Sequence, residues 1–321
     1  MNRWLAGPWS LGNAWARLLR SVTFSRGMET DQDPLQECVR AALAEDLGSP
    51  DLAPHADVTS QLTIPADRRA VARIVAKATG CVAGTAAAVL AFRLLDPDVQ
   101  VEVRCADGAA VEPGTVVMTI RGLARPLLAA ERTALNFLQR LSGIATVTRR
   151  FVEAVAGTTV RILDTRKTTP GLRLLEKRAV VAGGGQNHRA GLFDQVLLKE
   201  NHFALARPMS YEAVVRRCVT AHPSPVVAEA RNLEEARAAV RGGAAVVLLD
   251  NFEPGPPLRA AVAAVRDQAT ALRRTVLVEA SGGVHADNVR AFADCGLDRL
   301  SVGALTHSAP ALDLSLLVDG T

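Results

Sequence analysis

Two rhythms of apolar and polar residues divide the chain. Residues 71–78, 99–105 and 116–120 alternate apolar with polar, the period of half-exposed antiparallel strands. Between the first two, 81–95 reads as a helix packed on one face. Ahead of them Leu35, Val39, Ala42 and Leu43 recur at helical spacing in a segment that stops at Gly48. HADVTSQLTIP (55–65) reads as a loop and a short strand. From Val160 onward the rhythm changes to short, mostly apolar runs at 160–163, 196–198, 226–228, 246–249, 276–278 and 300–302, separated by helical stretches. That alternation predicts a parallel sheet with right-handed crossovers. Residues 126–157 join the two parts as one or two long helices, with Ser142-Gly143 a candidate break.

The later runs end in Asp164, Lys199, Glu229, Asp250, Glu279 with Ser281, and Gly303. Polar groups at successive strand ends are the mark of a barrel that carries chemistry at its C-terminal mouth. An open doubly wound sheet is the alternative, but the chain has no GxGxxG fingerprint or Walker loop. The division that follows is a basic extension over 1–28, an α/β layer with its linker helix over 29–142, and a barrel over 143–321.

Composition narrows the function. Hydrophobic residues make up 49% of the 321 and aromatics 4%, which suits an Ala/Val/Leu-rich α/β core. The net charge of +4 resides in Arg3, Arg17, Arg20 and Arg26, which no acid accompanies within 1–28. The rest has neither a basic stripe nor an aromatic platform, so nucleic acid is not expected as a partner. The extension reads as a targeting peptide, a surface-binding arm, or an upstream start ahead of Met28; the last is preferred. Five scattered cysteines without a CxxC pair suit reduced thiols in a cytoplasmic protein. No apolar run approaches the ~20 residues of a membrane span.

The chemistry gathers in 162–202. Arg166, Lys167, Arg189 and Lys199 stand at strand ends or in the loop between them, and converge on a pocket for a ligand with several negative charges. Glu229 and Asp250 suit ribose hydroxyls and a water-bridged Mg²⁺. The glycines of SGG (281–283) and VGAL (302–305) let backbone N–H groups approach a phosphate, and His307 either touches it or caps the next helix. Arg132, on the linking helix, reads by itself as a surface arginine.

TRKTTPGLR, GGGQNHR and LLKENH, with ERTALNFLQRLSGIAT upstream and LLDNF, VEASGGV and SVGALTHSAPALDLSL downstream, resemble the nicotinate-nucleotide pyrophosphorylases (carboxylating), or quinolinate phosphoribosyltransferases. The likeness covers roughly 34–317. It implies an N-terminal open-faced α/β sandwich followed by an incomplete α/β barrel. It also implies transfer of phosphoribosyl from PRPP to quinolinate with decarboxylation, giving nicotinate mononucleotide. By the resemblance, Arg132, Arg166, Lys167, Thr168, His188, Arg189 and Lys199 hold the carboxylates and phosphates. Glu229 and Asp250 handle ribose and Mg²⁺, and Ser281, Gly282, Gly283, Gly303 and His307 take the 5′-phosphate. Lys167, Lys199, Glu229 and Asp250 form the catalytic group. The family further implies a two-fold homodimer, or a higher assembly of it, in which Arg132 comes from the partner. One position departs from the pattern: Val227 stands where relatives commonly carry a second glutamate. Alternatives are a molybdenum-associated sister group, a Schiff-base aldolase with Lys199 as nucleophile, and a barrel that only senses anionic metabolites.

Overall fold

The computed structural model describes residues 33–53 and 56–319; the 1–28 extension and His55 lie outside them. Asp33 opens the first helix, α1 (Pro34–Leu47), by accepting from Leu35 N, and Gly48 closes it with φ 61°. Asp57 caps α2 (Val58–Thr63) in the same way, accepting from Ser60 N at 3.1 Å. The strand expected near here is therefore a helix. The cap overrides the extended preference of Val58, Thr59 and Thr63.

β1 (Arg69–Ala76), β2 (Gly80–Cys81), α3 (Thr85–Leu95), β3 (Gln100–Val103), β4 (Ala110–Val111) and β5 (Val116–Leu123) follow. β5 pairs antiparallel with both β1 and β3, and β2 pairs with β4 separately. Ile74 and Ile120 share one buried core with Val39 and Leu43 of α1 and Ala91 and Phe92 of α3. α4 (Ala124–Ala154) completes the layer and runs unbroken for 31 residues, roughly 46 Å at 1.5 Å per residue. The candidate break is a contact point instead. A Cβ on Gly143 would lie 2.0 Å from the Pro310 carbonyl oxygen, and Ser142 Oγ accepts from Ala83 N at 2.9 Å. Close packing outweighs the ~1 kcal/mol that glycine costs inside a helix.

The second part comprises β6 (Arg161–Leu163), α5 (Arg173–Ala182), β7 (Leu197–Leu198), α6 (Glu200–Leu205), α7 (Tyr211–Ala221), β8 (Val227–Ala230) and α8 (Leu233–Gly242). It continues through β9 (Val246–Asp250), α9 (Pro256–Ala271), β10 (Leu277–Ser281), α10 (Val289–Ala293), β11 (Arg299–Ser301) and α11 (Ala304–His307). The strands form one six-stranded sheet in the order β6-β11-β10-β9-β8-β7, every pairing parallel. Its end strands, β6 and β7, are consecutive in sequence but not hydrogen-bonded to each other, so the ring is an incomplete barrel. The segment holding most of the candidate cations connects those two strands.

A last strand, β12 (Leu314–Val318), leaves the barrel and pairs antiparallel with β1, from Ala72↔Val318 to Ala76↔Leu314. The first sheet therefore reads β12-β1-β5-β3, and residues 314–318, expected in the barrel portion, belong to it. Leu317 and Val318 remain partly exposed, as befits an open-faced layer. No helix among the described residues is long and apolar enough to cross a membrane, and all five cysteines are free thiols.

Candidate active site

The barrel strands sort their side chains by period two. Leu197, Val227, Val246 and Leu248 form a small apolar cluster of their own, with Leu277 against it. Two residues further along those strands stand Lys199, Glu229, Asp250 and Glu279, on the same faces as Leu197, Val227, Leu248 and Leu277. The interior is thus an apolar floor beneath a polar mouth. Val227, fully buried, is part of the floor. It supplies packing at the position where the resemblance implies a second glutamate.

Two buried ion pairs fix the segment between β6 and β7. Lys177 Nζ meets Asp164 Oδ1 at 2.5 Å with both side chains essentially buried. Burial pushes the Asp164 carboxyl up to about 6 against the pull of Lys177, and it holds Lys177 below its ordinary value. Asp164 Oδ1 also accepts from His188 N at 2.8 Å, while Lys177 Nζ donates to His188 O at 3.0 Å. The second pair joins Arg140 of α4 to buried Glu176 at 2.8 Å. Glu176 accepts from Thr169 N and Thr169 Oγ1, and Arg140 donates to the carbonyls of Ala309 and Thr306. Thr306 Oγ1 in turn donates to Lys167 O at 2.7 Å. The 164–169 loop is thereby tied to the loop after β11.

The cations sit on this scaffold. Arg189 lies beside Arg166; burial and then that neighbouring charge hold its guanidinium below the ordinary value. Neither forms an ion pair among the described residues, and Arg166 Nε is buried without a partner. Asp194 offsets part of that repulsion, and two guanidinium groups side by side without an ion pair still suit an anion. Lys167 lies at Gly303: a Cβ added there would come within 3.0 Å of Lys167 Cδ and of His307 Nε2. The backbone after β11 is therefore flanked by two basic side chains. Gly282, at φ 94°, is forced by Asn251, whose Oδ1 would lie 2.1 Å from a Cβ. Asn251 N donates to Ser281 O, joining the loops after β9 and β10. Thr168 Oγ1 accepts from Arg173 Nε, so its hydroxyl serves the loop.

Lys199, unlike Arg166 and Arg189, has an acid partner: its Nζ is 3.0 Å from Glu229 Oε2. β7 and β8 pair Leu197 with Val227 and Leu198 with Ala228, so residues 199 and 229 are the next facing pair. Glu229 is 5% exposed, whereas the Lys199 side chain is 54% exposed. Asp250 is raised by burial and by the nearby Glu229 carboxylate, countered by Lys199 and Lys167. A carboxyl whose ionisation is disfavoured by a neighbouring carboxylate suits a cation or ribose hydroxyls beside it. Among the described residues no group of three or more His, Cys, Asp or Glu forms a metal site.

Arg132 stands apart. It is exposed on α4 and makes no hydrogen bond or ion pair among the described residues. Arg140, two turns further along, is the residue of that helix that meets Thr169 and Thr306. A hollow of about 280 Å³ between Ile64, Arg69, Leu127 and Val318 is lined by none of the candidates.

Comparison with known proteins agrees in both parts of the chain. Residues 57–142 match the quinolinate phosphoribosyl transferase N-terminal domain and 144–317 the C-terminal domain. A probable nicotinate-nucleotide pyrophosphorylase [carboxylating] of Bacillus subtilis is 39% identical, covering 88% of this chain and 92% of its own length. The Mycobacterium leprae nicotinate-nucleotide pyrophosphorylase [carboxylating] is 41% identical, with 88% and 97% covered. The solved nicotinate-nucleotide pyrophosphorylase of Francisella tularensis superposes with a TM-score of 0.79 at 36% identity, over 89% of this chain and 96% of that one.

Proposed function

The chain belongs to the quinolinate phosphoribosyl transferase family, and on that premise we propose which of its residues run the reaction. The reaction joins quinolinate to the phosphoribosyl group of PRPP. It releases pyrophosphate and CO₂ and yields nicotinate mononucleotide for de novo NAD biosynthesis. The molybdenum-associated and aldolase alternatives are not favoured, since the relatives carry pyrophosphorylase names.

The observations that carry the assignment are the Arg166–Arg189 couple, neither member of which forms an ion pair among the described residues, and the Lys199–Glu229 pair at the strand ends. Arg166, Arg189 and Lys199 hold the two carboxylates of quinolinate, orienting the ring nitrogen toward the anomeric carbon. Lys167, His307 and the backbone at Gly282, Gly283 and Gly303 take the phosphate, with Ser281 bordering it. Glu229 and Asp250 bind the ribose hydroxyls and, through water, Mg²⁺. When bound, that ion neutralises charge on the leaving pyrophosphate.

No protein nucleophile is required. The pyridine nitrogen displaces pyrophosphate through an oxocarbenium-like state; the resulting pyridinium loses its 2-carboxylate as CO₂, and the electron pair left on C2 takes up a proton from water. The chain's own contribution is alignment and a field of fixed charges that favours these steps. Arg132, from a second copy of the chain, adds a further cation to each site. A coupled assay for CO₂ and pyrophosphate from quinolinate and PRPP, with and without Mg²⁺, tests the reading. Binding of both compounds without release of either product would reduce the protein to an anion sensor.

A further inference from the structure

Glu279 is fully buried on β10, inside the barrel. Its Oε1 accepts from Ser301 Oγ of β11 and lies 3.3 Å from His188 Nε2, while Oε2 is buried without a partner. A buried carboxylate is expensive, and leaving one oxygen unsatisfied makes it more so. Stability alone would be served as well by an apolar residue of similar volume. The group that this carboxylate addresses is His188, whose side chain is 8% exposed.

His188 has four polar groups, and the protein engages all of them. Its N–H donates to Asp164 and its carbonyl accepts from Lys177. Its Nδ1 accepts from Arg189 N at 2.7 Å. A ring nitrogen that accepts an N–H must carry a lone pair, so the single proton of a neutral imidazole sits on Nε2. Nε2–H then faces Glu279 Oε1, an ionised oxygen that only accepts. The chain of contacts runs from Ser301 and Glu279 through the ring to the backbone of Arg189. Arg189 NH1 is held further by the Gln195 carbonyl at 3.2 Å.

We propose that Glu279 is a positioning residue for the anion pocket: it fixes His188 as the neutral Nε2–H tautomer, and His188 thereby aligns Arg189 instead of binding substrate. This deepens the reading above, since it rests on Arg189 holding a quinolinate carboxylate. It removes His188 from the cations expected to touch the substrate. The buried acid works here as an oriented acceptor, so shape and lone pairs matter more than its charge.

Three variants and one spectrum test it. In the wild-type enzyme, two-bond ¹⁵N–¹H spectra of the histidine rings, with His188 assigned by its loss in His188→Asn, show Nδ1 unprotonated and Nε2 protonated near neutral pH. Glu279→Leu removes every acceptor and raises the quinolinate KM about ten- to a hundredfold, with an unchanged PRPP KM. Glu279→Gln keeps an acceptor oxygen and recovers most of that loss. Arg189→Ala raises the quinolinate KM at least as far as Glu279→Leu. An imidazolium or an Nδ1–H tautomer at His188 overturns the proposal even where Glu279→Leu does not fold. So does a Glu279→Leu enzyme that weakens both substrates equally, or a Glu279→Gln enzyme as impaired as Glu279→Leu. If Arg189→Ala leaves the quinolinate KM unchanged, the assignment of Arg189 itself falls, and the proposal with it.

Discussion

Lys199 and Glu229 face each other across the ends of two neighbouring parallel strands, Nζ 3.0 Å from Oε2, with the acid buried and the lysine largely exposed. The acid holds the ammonium at the mouth, and the proposed reading gives the exposed side of Lys199 to a quinolinate carboxylate. Lys199→Ala is expected to lower kcat/KM by about 2–5 kcal/mol, the usual loss when one member of a charged contact desolvated by the bound ligand is truncated. Steady-state kinetics in both substrates measure it. A variant with near-normal values would show that the pair is only structural.

Arg166 offers the opposite balance of stability and function. Its Nε is buried without a partner and its charge opposes that of Arg189. Arg166→Ala is expected to lose activity while the thermal midpoint stays level or rises, the trade-off of a site held ready for a ligand. Calorimetry beside kinetics checks both halves. A falling midpoint with intact kinetics would remove Arg166 from the pocket.

The Asp164–Lys177 pair carries a stability prediction with a sign in pH. Lys177→Met leaves a buried carboxylate uncompensated, and is expected to cost about 3–5 kcal/mol at neutral pH by urea unfolding. The Asp164 carboxyl already sits at about 6, raised from its ordinary 3.8. A raised acid contributes stability that is full below the unfolded value and is lost as pH rises through the folded one. Removing Lys177 raises it further. The deficit of the variant should therefore shrink as pH falls toward about 6 and level off below it, where Asp164 is protonated in both folded proteins. A deficit independent of pH would mean that Asp164 is not ionised in the fold.

Asp250 titrates in the same direction for a second reason. Burial and then Glu229 raise it. Its ionised form, the one suited to ribose and metal, is lost at a higher pH than for an ordinary carboxylate. Glu229→Gln removes one raising charge and should move the Asp250 titration, followed by carboxyl ¹³C shifts, to lower pH. An unmoved titration would separate the two acids.

The barrel was legible because each of its strands is a short apolar run ending in a polar residue: the expected run at 246–249 is β9, and that at 300–302 overlaps β11. The two misread pieces show where local pattern loses. Residues 58–63 look extended by composition but obey the Asp57 cap, and LSLLV at 314–318 gives no sign that its partner is β1, more than two hundred residues earlier. The supporting residues of the site were hidden for a related reason. Arg140 and Glu176 look like ordinary helix charges until the fold brings them together across 36 residues. Lys177 had one faint signal, as one of four lysines in an arginine-rich chain, yet its buried partner Asp164 stands at the end of a different element. Glu279 was visible as a strand-end acid, but its orientation toward His188 depends on the barrel closing around it.

Arg132 yields the prediction that concerns assembly. α4 passes the barrel with Arg140 bound to the Thr169 and Thr306 loops, and its C-terminus leads down to the start of β6. Arg132 lies eight residues before Arg140, about 12 Å further along the helix and beyond that point of contact. Its side chain is exposed and makes no hydrogen bond or ion pair among the described residues. A second copy related by a two-fold axis can take such a side chain into its own mouth, and the isologous interface gives two equivalent shared sites. Arg132→Ala and Lys199→Ala proteins, each nearly inactive alone, are then expected to regain activity when co-expressed. A mixed dimer collects both lesions in one site and leaves the other whole, so up to about half the activity of a wild-type dimer returns per mixed dimer. Differential tags isolate the mixed species for assay. Verified mixed dimers that remain inactive would place Arg132 within its own chain's site or outside the reaction altogether.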